Sequence, residues 1–348
     1  MGIGSVALLL VLQAPLRPSD PVDHAVARAV RFLLSVQRGD GSITEQPGNR
    51  VAMTSLSLLA LAATGHQPTD DSPAGQGMRR ALDYVLRTEH QDARGFLGAA
   101  DGSRMYGHGI TTLMLSEMLG MGLDAQMDET LRDRCRKGID LILKAQSSSK
   151  DDRNAGGWRY LPESRDSDLS ISVWQVMALR SAKNAGFEIP GQAIERAVGY
   201  LKRCYKVKRG PDGRPLTVTT SACAYEPGQN PEYAMAAAGL LALQVCGEYD
   251  APEVLGSADW LRDRPVEWTS EWFFYGTYYY AQGMYQRGGD YADKARKAVE
   301  GIVLEQQSPD GSWLGHHGQE RGAGRVYCTA MGVLALAVKY HYLPIYQR

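Results

Sequence analysis

Two kinds of helical segment alternate along almost the whole chain, one pair roughly every fifty residues, and that alternation leaves few folds open. The first kind covers residues 25–37, 79–87, 135–146, 194–203 and 295–307. Apolar side chains recur there at spacings of three and four, with Arg, Lys or Glu between them. Such a segment is a helix with one wet face. The second kind covers 54–63, 111–121, 172–182, 234–245 and 329–338. It is apolar nearly all round and rich in Ala and Gly, which predicts helices buried on every side. Gly65, Gly122, Gly186 and Gly247 follow four of these, where a left-handed residue caps a helix C-terminus.

One wet helix followed by one dry helix predicts two concentric layers, dry helices inside. Six pairs can be counted. The fifth is degenerate, with a short outer segment at 256–263 and an aromatic inner run at 272–285. The end repeats resemble the middle ones and carry no polar cap, which favours a closed ring over an open solenoid. The expected fold is therefore all-α, an α/α toroid of about six helix hairpins (an α6/α6 barrel) over residues 21–348. Residues 1–20 stand apart. The apolar stretch 3–12, followed by Gln13-Ala14-Pro15, resembles the core of a signal peptide and is too short to span a bilayer. It predicts a leader and an exported protein.

Charge narrows the partners. With 38 basic and 39 acidic residues the net charge is -1, so nothing points to nucleic acid. The five cysteines are irregularly spaced and include no Cys-x-x-Cys pair, which argues against a disulfide framework or a cysteine-rich zinc site. No cofactor and no metal is expected.

The repeat also predicts which side chains share the ring's mouth. Setting Leu61, Leu179, Leu243 and Leu336 as equivalent places Arg50, Asp168, Glu232 and Arg325 together at the heads of inner helices. The second repeat aligns Gly107 there, beside His108, and the fifth aligns Glu271. Carboxylates are ordinary at helix N-termini, but arginines meet the unfavourable end of the dipole. They are expected to pair with carboxylates across the ring or to bind an anionic ligand. Tyr106, Trp158, Tyr160, Tyr225, Tyr233, Trp272, Phe273, Phe274, Tyr275 and Tyr327 fall in the same crossings or helix starts. A concave aromatic mouth with a few convergent polar groups is the usual signature of a ligand site. The expected binding residues are Arg50, Tyr106, Trp158, Glu232, Tyr233, Glu271, Trp272, Tyr275, Arg325 and Tyr327. Gln-x-x-Asp-Gly-Ser occurs at 37–42 and again at 307–312, followed there by Trp313, and reads as a structural turn closing each outer helix.

The third repeat contains Gly156-Gly157-Trp158, then Asp166-Ser167-Asp168-Leu169-Ser170, then Val173-Trp174. This pattern resembles the squalene–hopene cyclase and prenyltransferase repeat families, whose fold is the α/α toroid. In class II terpene cyclases a Gly-Gly-Trp precedes an Asp-x-Asp-Asp motif whose middle aspartate protonates an alkene or epoxide. The resemblance implies Asp168 as that acid and Asp166 as its partner; a hydrogen bond from His108 to the acid is a separate expectation. Leu169 stands where the motif's last aspartate would be. Against the protein prenyltransferases, Tyr327-Cys328-Thr329 replaces a Tyr-His-Thr, and Asp133-x-Cys135 lies in a wet outer helix, so no zinc is implied. The implied ligand is a small, hydrophobic, isoprenoid-like molecule, with peripheral membrane association as a corollary. Two other functions stay open: an exported carbohydrate hydrolase or lyase, since paired carboxylates and stacking aromatics also suit a sugar, and a non-catalytic binding module on the same ring. The oligomeric state is open as well.

Overall fold

The computed structural model describes residues 20–121, 124–207, 220–264 and 266–347. Residues 1–19 of the expected leader and Gly122 lie outside these, whereas Asp20 caps α1. Twelve α-helices are present among the described residues: α1 (Pro21–Ser35), α2 (Arg50–Ala63), α3 (Pro73–Val85), α4 (Arg104–Met118), α5 (Ala125–Gln146), α6 (Leu169–Asn184), α7 (Gly191–Cys204), α8 (Tyr233–Val245), α9 (Pro252–Arg262), α10 (Phe273–Arg287), α11 (Gly289–Glu305) and α12 (Gly318–Leu336). Each even-numbered helix packs on the even-numbered helices before and after it, and α12 packs on α2. The inner layer is therefore a closed ring of six. Each odd-numbered helix lies outside its partner. The described residues hold isolated bridges and no named strand, and none of their helices is long and apolar enough to cross a membrane.

The sequence pattern accounts for the layering. On α1 the residues Val22, Ala25, Val26, Ala29, Val30 and Leu33 are buried, while Arg28 and Arg31 are exposed. On α8 every residue from Ala234 to Val245 is buried. Each fully buried Leu or Val is worth about 1.5–3 kcal/mol relative to exposure, so an inner helix has no stable place outside the ring.

The outer layer is stitched by one repeated device. Gln37 donates through Nε2 to the carbonyls of Gly41 and Gly77, both at 2.9 Å. Gln91 bonds Gly95 and Arg134 in the same way, both at 3.0 Å. Gln146 bonds Gly156 at 3.0 Å and Ala193 at 2.9 Å, and Gln307 bonds Gly311 at 2.9 Å and Ala25 at 2.8 Å. Each glutamine ties its own turn to the next outer helix, and the last ties back to the first. This is why the turn motif carries a glutamine.

The two ends of the ring differ. At the C-terminal end of the inner helices, the tail after α12 lies across the opening. Its Ile345 and Tyr346 are buried, Ile345 N–H donates to Glu117 Oε2 at 3.4 Å, and the Tyr346 hydroxyl bonds that of Tyr278. Trp174, Tyr275, Tyr278 and Tyr279 are buried in the layer of inner helices, with Trp174 stacked on Tyr278. The other end, where inner helices begin, carries the polar side chains.

Candidate functional site

Four equivalent hydrogen bonds fix the register of that end. The residue crossing from outer to inner layer donates its backbone N–H to a side chain one turn into the inner helix, counted for α12 from its kink at Gly324. Ile43 donates to Thr54 at 3.0 Å, Leu97 to His108 Nδ1 at 3.2 Å, Trp158 to Ser172 at 3.0 Å and Trp313 to Thr329 at 2.9 Å. Four residues before each acceptor stand Arg50, Arg104, Asp168 and Arg325. The second repeat thus brings Arg104 to the rim, and the alignment on Gly107 and His108 was three residues out. A helix apolar all round gives no unique register, because a three-residue slip keeps nearly the same face.

His108 takes no part in the rim. It is fully buried between layers, accepts from Leu97 and donates from Nε2 to the Gly138 carbonyl at 3.1 Å, and burial pushes its pKa down to about 4. Trp158 is also a packing residue. It is buried and its indole N–H donates to the Ile142 carbonyl at 2.8 Å, just as Trp313 donates to Val303 at 2.8 Å. Gly-Gly-Trp is therefore this repeat's version of the Asp-Gly-Ser-Trp turn.

The arginines pair neither across the ring nor with Asp168. Arg50 binds Asp40 and stacks over Tyr84. Arg325 binds Glu45 and Asp310 and stacks over Phe32. Asp40 and Asp310 are the aspartates of the two Gln-x-x-Asp-Gly-Ser turns, so each arginine closes its own crossing. Glu232 and Glu271 are exposed at the same end, and Glu232 makes no capping bond to α8.

Asp168 gathers a different set. It is the N-cap of α6, entirely shielded from solvent (0% exposed), and its Oδ1 accepts from Ile171 N–H at 2.8 Å and Ser170 Oγ at 2.6 Å. Its Oδ2 lies 3.2 Å from Arg159 Nε but off the direction of that N–H, and it accepts no hydrogen bond. Burial raises the carboxyl's pKa above the ordinary aspartate value, outweighing Ser170, Ile171, Arg159 and the Tyr225 hydroxyl, which all lower it. Arg159 also contacts Asp166 at 3.5 Å and Glu226 at 2.7 Å, and it lies over the rings of Tyr160 and Tyr225. Those two tyrosines share a hydrogen bond at 2.8 Å.

Ser170 links this group to the inner aromatics. Its hydroxyl bonds the Tyr106 hydroxyl, and its carbonyl accepts from the Tyr275 hydroxyl at 3.2 Å. Tyr275 packs edge-on against Tyr279, and Trp272 edge-on against Tyr275. Of the expected residues, the structure brings Asp166, Asp168, Tyr106, Tyr275 and Trp272 into one connected group. Tyr327 is buried on α12 and Tyr233 packs against Tyr280 with its hydroxyl unpartnered.

Sequence reasoning missed Arg159, Ser170 and Glu226, although Arg159 directly follows the Gly-Gly-Trp. It also missed Glu320. This side chain, on the first turn of α12, is 2% exposed and accepts from Tyr275 N–H at 3.0 Å, so it caps α10 from the neighbouring repeat. Burial raises its pKa to about 7. Asp101 caps α2 in the same manner, accepting from Val51 and Ala52 at 2.9 and 3.2 Å. Among the described residues no group of three or more His, Cys, Asp or Glu side chains is placed to hold a metal ion.

No protein-family model matches the chain, and no curated protein matches it by sequence. Solved structures do match. An inactive variant of the alpha-1,6-mannanase GH76A of Salegentibacter sp. HEL1_6, in complex with alpha-1,6-mannotriose, is 12% identical over 93% of this chain and 100% of that one, with a TM-score of 0.60. The type II terpene cyclase MstE from Scytonema, in its apo form, is 14% identical over 93% of this chain and 99% of that one, with a TM-score of 0.58. A protein from Actinoplanes is 18% identical over 92% and 99%, with a TM-score of 0.58. Likeness at these identities shows the shared helical toroid and leaves the chemistry to the site.

Proposed function

We propose that this chain acts on an isoprenoid or related polyene, with Asp168 as the proton donor and Asp166 assisting. One observation carries the reading. A carboxyl with a raised pKa sits at the head of an inner helix, one oxygen held by Ser170 and Ile171 and the other free of hydrogen bonds, beside an aromatic group. The likeness to a type II terpene cyclase is consistent with it.

The chemistry follows from those positions. In the reacting form the proton sits on Oδ2, because Oδ1 already accepts two hydrogen bonds. The π electrons of the alkene form the new C–H bond, and the O–H electrons stay on Asp168 as its carboxylate. The positive charge left on carbon is met by the rings of Tyr106 and Tyr275, which stabilise cations through the ring quadrupole. Loss of a proton from a later cation balances the reaction as an isomerisation. Arg159 holds the carboxylate formed at Asp168. Asp168 is fully shielded from solvent, so turnover requires the side chains over it, Tyr106 and Ser170 among them, to move aside for a substrate.

The test is incubation of the purified full chain with squalene and shorter polyprenyl substrates, wild type beside Asp168→Asn, with products read by mass spectrometry. Cyclised product from wild type alone supports the reading. Failure to cyclise any of them, together with cleavage of an oligosaccharide, replaces it with a carbohydrate hydrolase on the same ring.

A further inference from the structure

A pocket opens at the seam where the last repeat meets the first. It has a volume of about 290 Å³ and is lined by Asn49 and Met53 of the first repeat, Trp272 of the fifth, and Gln319, Arg325 and Val326 of the sixth. We propose that it binds one ring of a neutral sugar, stacked on Trp272. The inference rests on the pocket itself and stands or falls independently of Asp168.

Backbone strain is the first argument. Among the described residues only Asn49, Arg104, Trp272 and His341 have positive φ without being glycine. Three of these begin inner helices, and two of the three line the pocket. Trp272 has φ 58° and ψ 43°. The left-handed region costs a non-glycine residue roughly 1–2 kcal/mol, and glycine adopts it freely. Arg104 begins α4 with the same backbone outside the pocket, so the conformation belongs to the repeat; what is particular to position 272 is that a tryptophan, which cannot cap, carries it. The helix is capped instead by Glu320 from the next repeat. Strain of this kind gathers at ligand sites.

The lining sets the ligand's chemistry. Trp272 is a partly exposed part of the lining, and Met53 and Val326 add apolar surface. The side chains of Asn49 and Gln319 are exposed and form no hydrogen bond within the chain. The pocket's one guanidinium, Arg325, is neutralised by Glu45 and Asp310. An apolar platform with unused amides and no uncompensated charge suits a pyranose, which has C–H faces and hydroxyl edges. It disfavours a phosphate or a carboxylate. The volume sits at the small end of ligand pockets, which fits a ring or two and not an extended chain.

The experiment uses the full chain and ligand-observed NMR with methyl pyranosides of glucose, galactose and mannose, their linear disaccharides, and glucuronate as a charged control. Wild type is expected to bind at least one neutral glycoside and to ignore glucuronate. Trp272→Gly is expected to lose that binding while staying folded, since relief of the left-handed backbone offsets part of the packing lost against Tyr275. No binding by wild type overturns the proposal, as does binding that survives in Trp272→Gly. If Trp272→Gly fails to fold, the double variant Asn49→Gly, Gln319→Ala decides. Affinity weakened about tenfold or more supports the pocket, in line with two lost hydrogen bonds, and unchanged affinity overturns it.

Discussion

The side-chain amide of Gln307 donates to the backbone carbonyl of Ala25 at 2.8 Å, across 282 residues of sequence. This single bond joins the last outer helix to the first, and it repeats the bonds of Gln37, Gln91 and Gln146 at interior joints. Ring closure is thus made by the same chemistry as propagation. Gln307→Ala leaves the Ala25 and Gly311 carbonyls without this donor and should cost about 1–3 kcal/mol of stability. Chemical denaturation of Gln307→Ala beside Gln146→Ala checks it: similar losses mean that the seam is as tight as an interior joint, and no loss at Gln307 means that the ring is not held there.

The turn beneath that glutamine makes a second demand. Gly311 has φ 89°, and a Cβ built on it would lie 2.5 Å from the carbonyl oxygen of Arg28 on α1. Gly186 has nearly the same backbone, φ 87°, but open space around it. Gly186→Ala should therefore cost only the left-handed penalty, about 1 kcal/mol. Gly311→Ala adds a clash with backbone that cannot move without displacing α1, and should cost about 3 kcal/mol or more. Thermal unfolding of the two variants side by side measures the difference.

The ring was legible because wet and dry helices differ in composition, and composition survives any uncertainty of register. Local register was not legible. The head of α4 offers two basic residues one turn apart, Arg104 and His108, so His108 was set at the rim where Arg104 belongs, and His108 turned out to bind the Gly138 carbonyl between layers. Asp168 was legible because Asp-Ser-Asp-Leu-Ser begins an apolar helix, and the structure makes it the N-cap of α6. Its surroundings were hidden. Arg159 and Glu226 lie 67 residues apart, and Tyr106 and Ser170 lie 64 apart. No spacing rule reaches across repeats, and the same limit concealed the capping of α10 by Glu320.

Glu117 gives the fold a pH dependence. It is 2% exposed, bonds Ser181 and Ile345, and burial raises its pKa from 4.5 to about 7. The folded chain then holds a proton that the unfolded chain has lost, between about pH 4.5 and about pH 7. Stability must fall as pH rises through that window, by up to about 3 kcal/mol from this residue. Glu117→Gln keeps an amide that can bond both partners and removes the titration. It should be more stable than wild type at pH 8 and nearly equal to it at pH 4. Denaturation curves across this range decide, and a wild type whose stability relative to Glu117→Gln does not change with pH would show that Glu117 titrates normally.

The remaining prediction concerns the acid itself and needs no substrate. Asp168 is raised by burial and held down by Arg159 Nε at 3.2 Å. Removing the guanidinium while keeping a similar shape, as in Arg159→Gln, takes away a nearby positive charge and should push the carboxyl further up. Carbon-13 NMR of labelled aspartate, with Asp168→Asn used to assign the resonance, reads this directly. The Asp168 carboxyl should titrate above the ordinary value of 3.8 in wild type, and higher again in Arg159→Gln. Asp168→Asn itself should stay folded within about 1 kcal/mol, since asparagine caps helices about as well as aspartate and Arg159 keeps Glu226 and Asp166. In any turnover assay a proton donor must be protonated, so activity should fall as pH rises through this pKa, and Arg159→Gln should carry activity to higher pH. If wild-type Asp168 titrates at or below 3.8, the pairing with Arg159 outweighs burial, the carboxyl is a fixed anion, and its role is to cap α6 and anchor the arginine instead of delivering a proton.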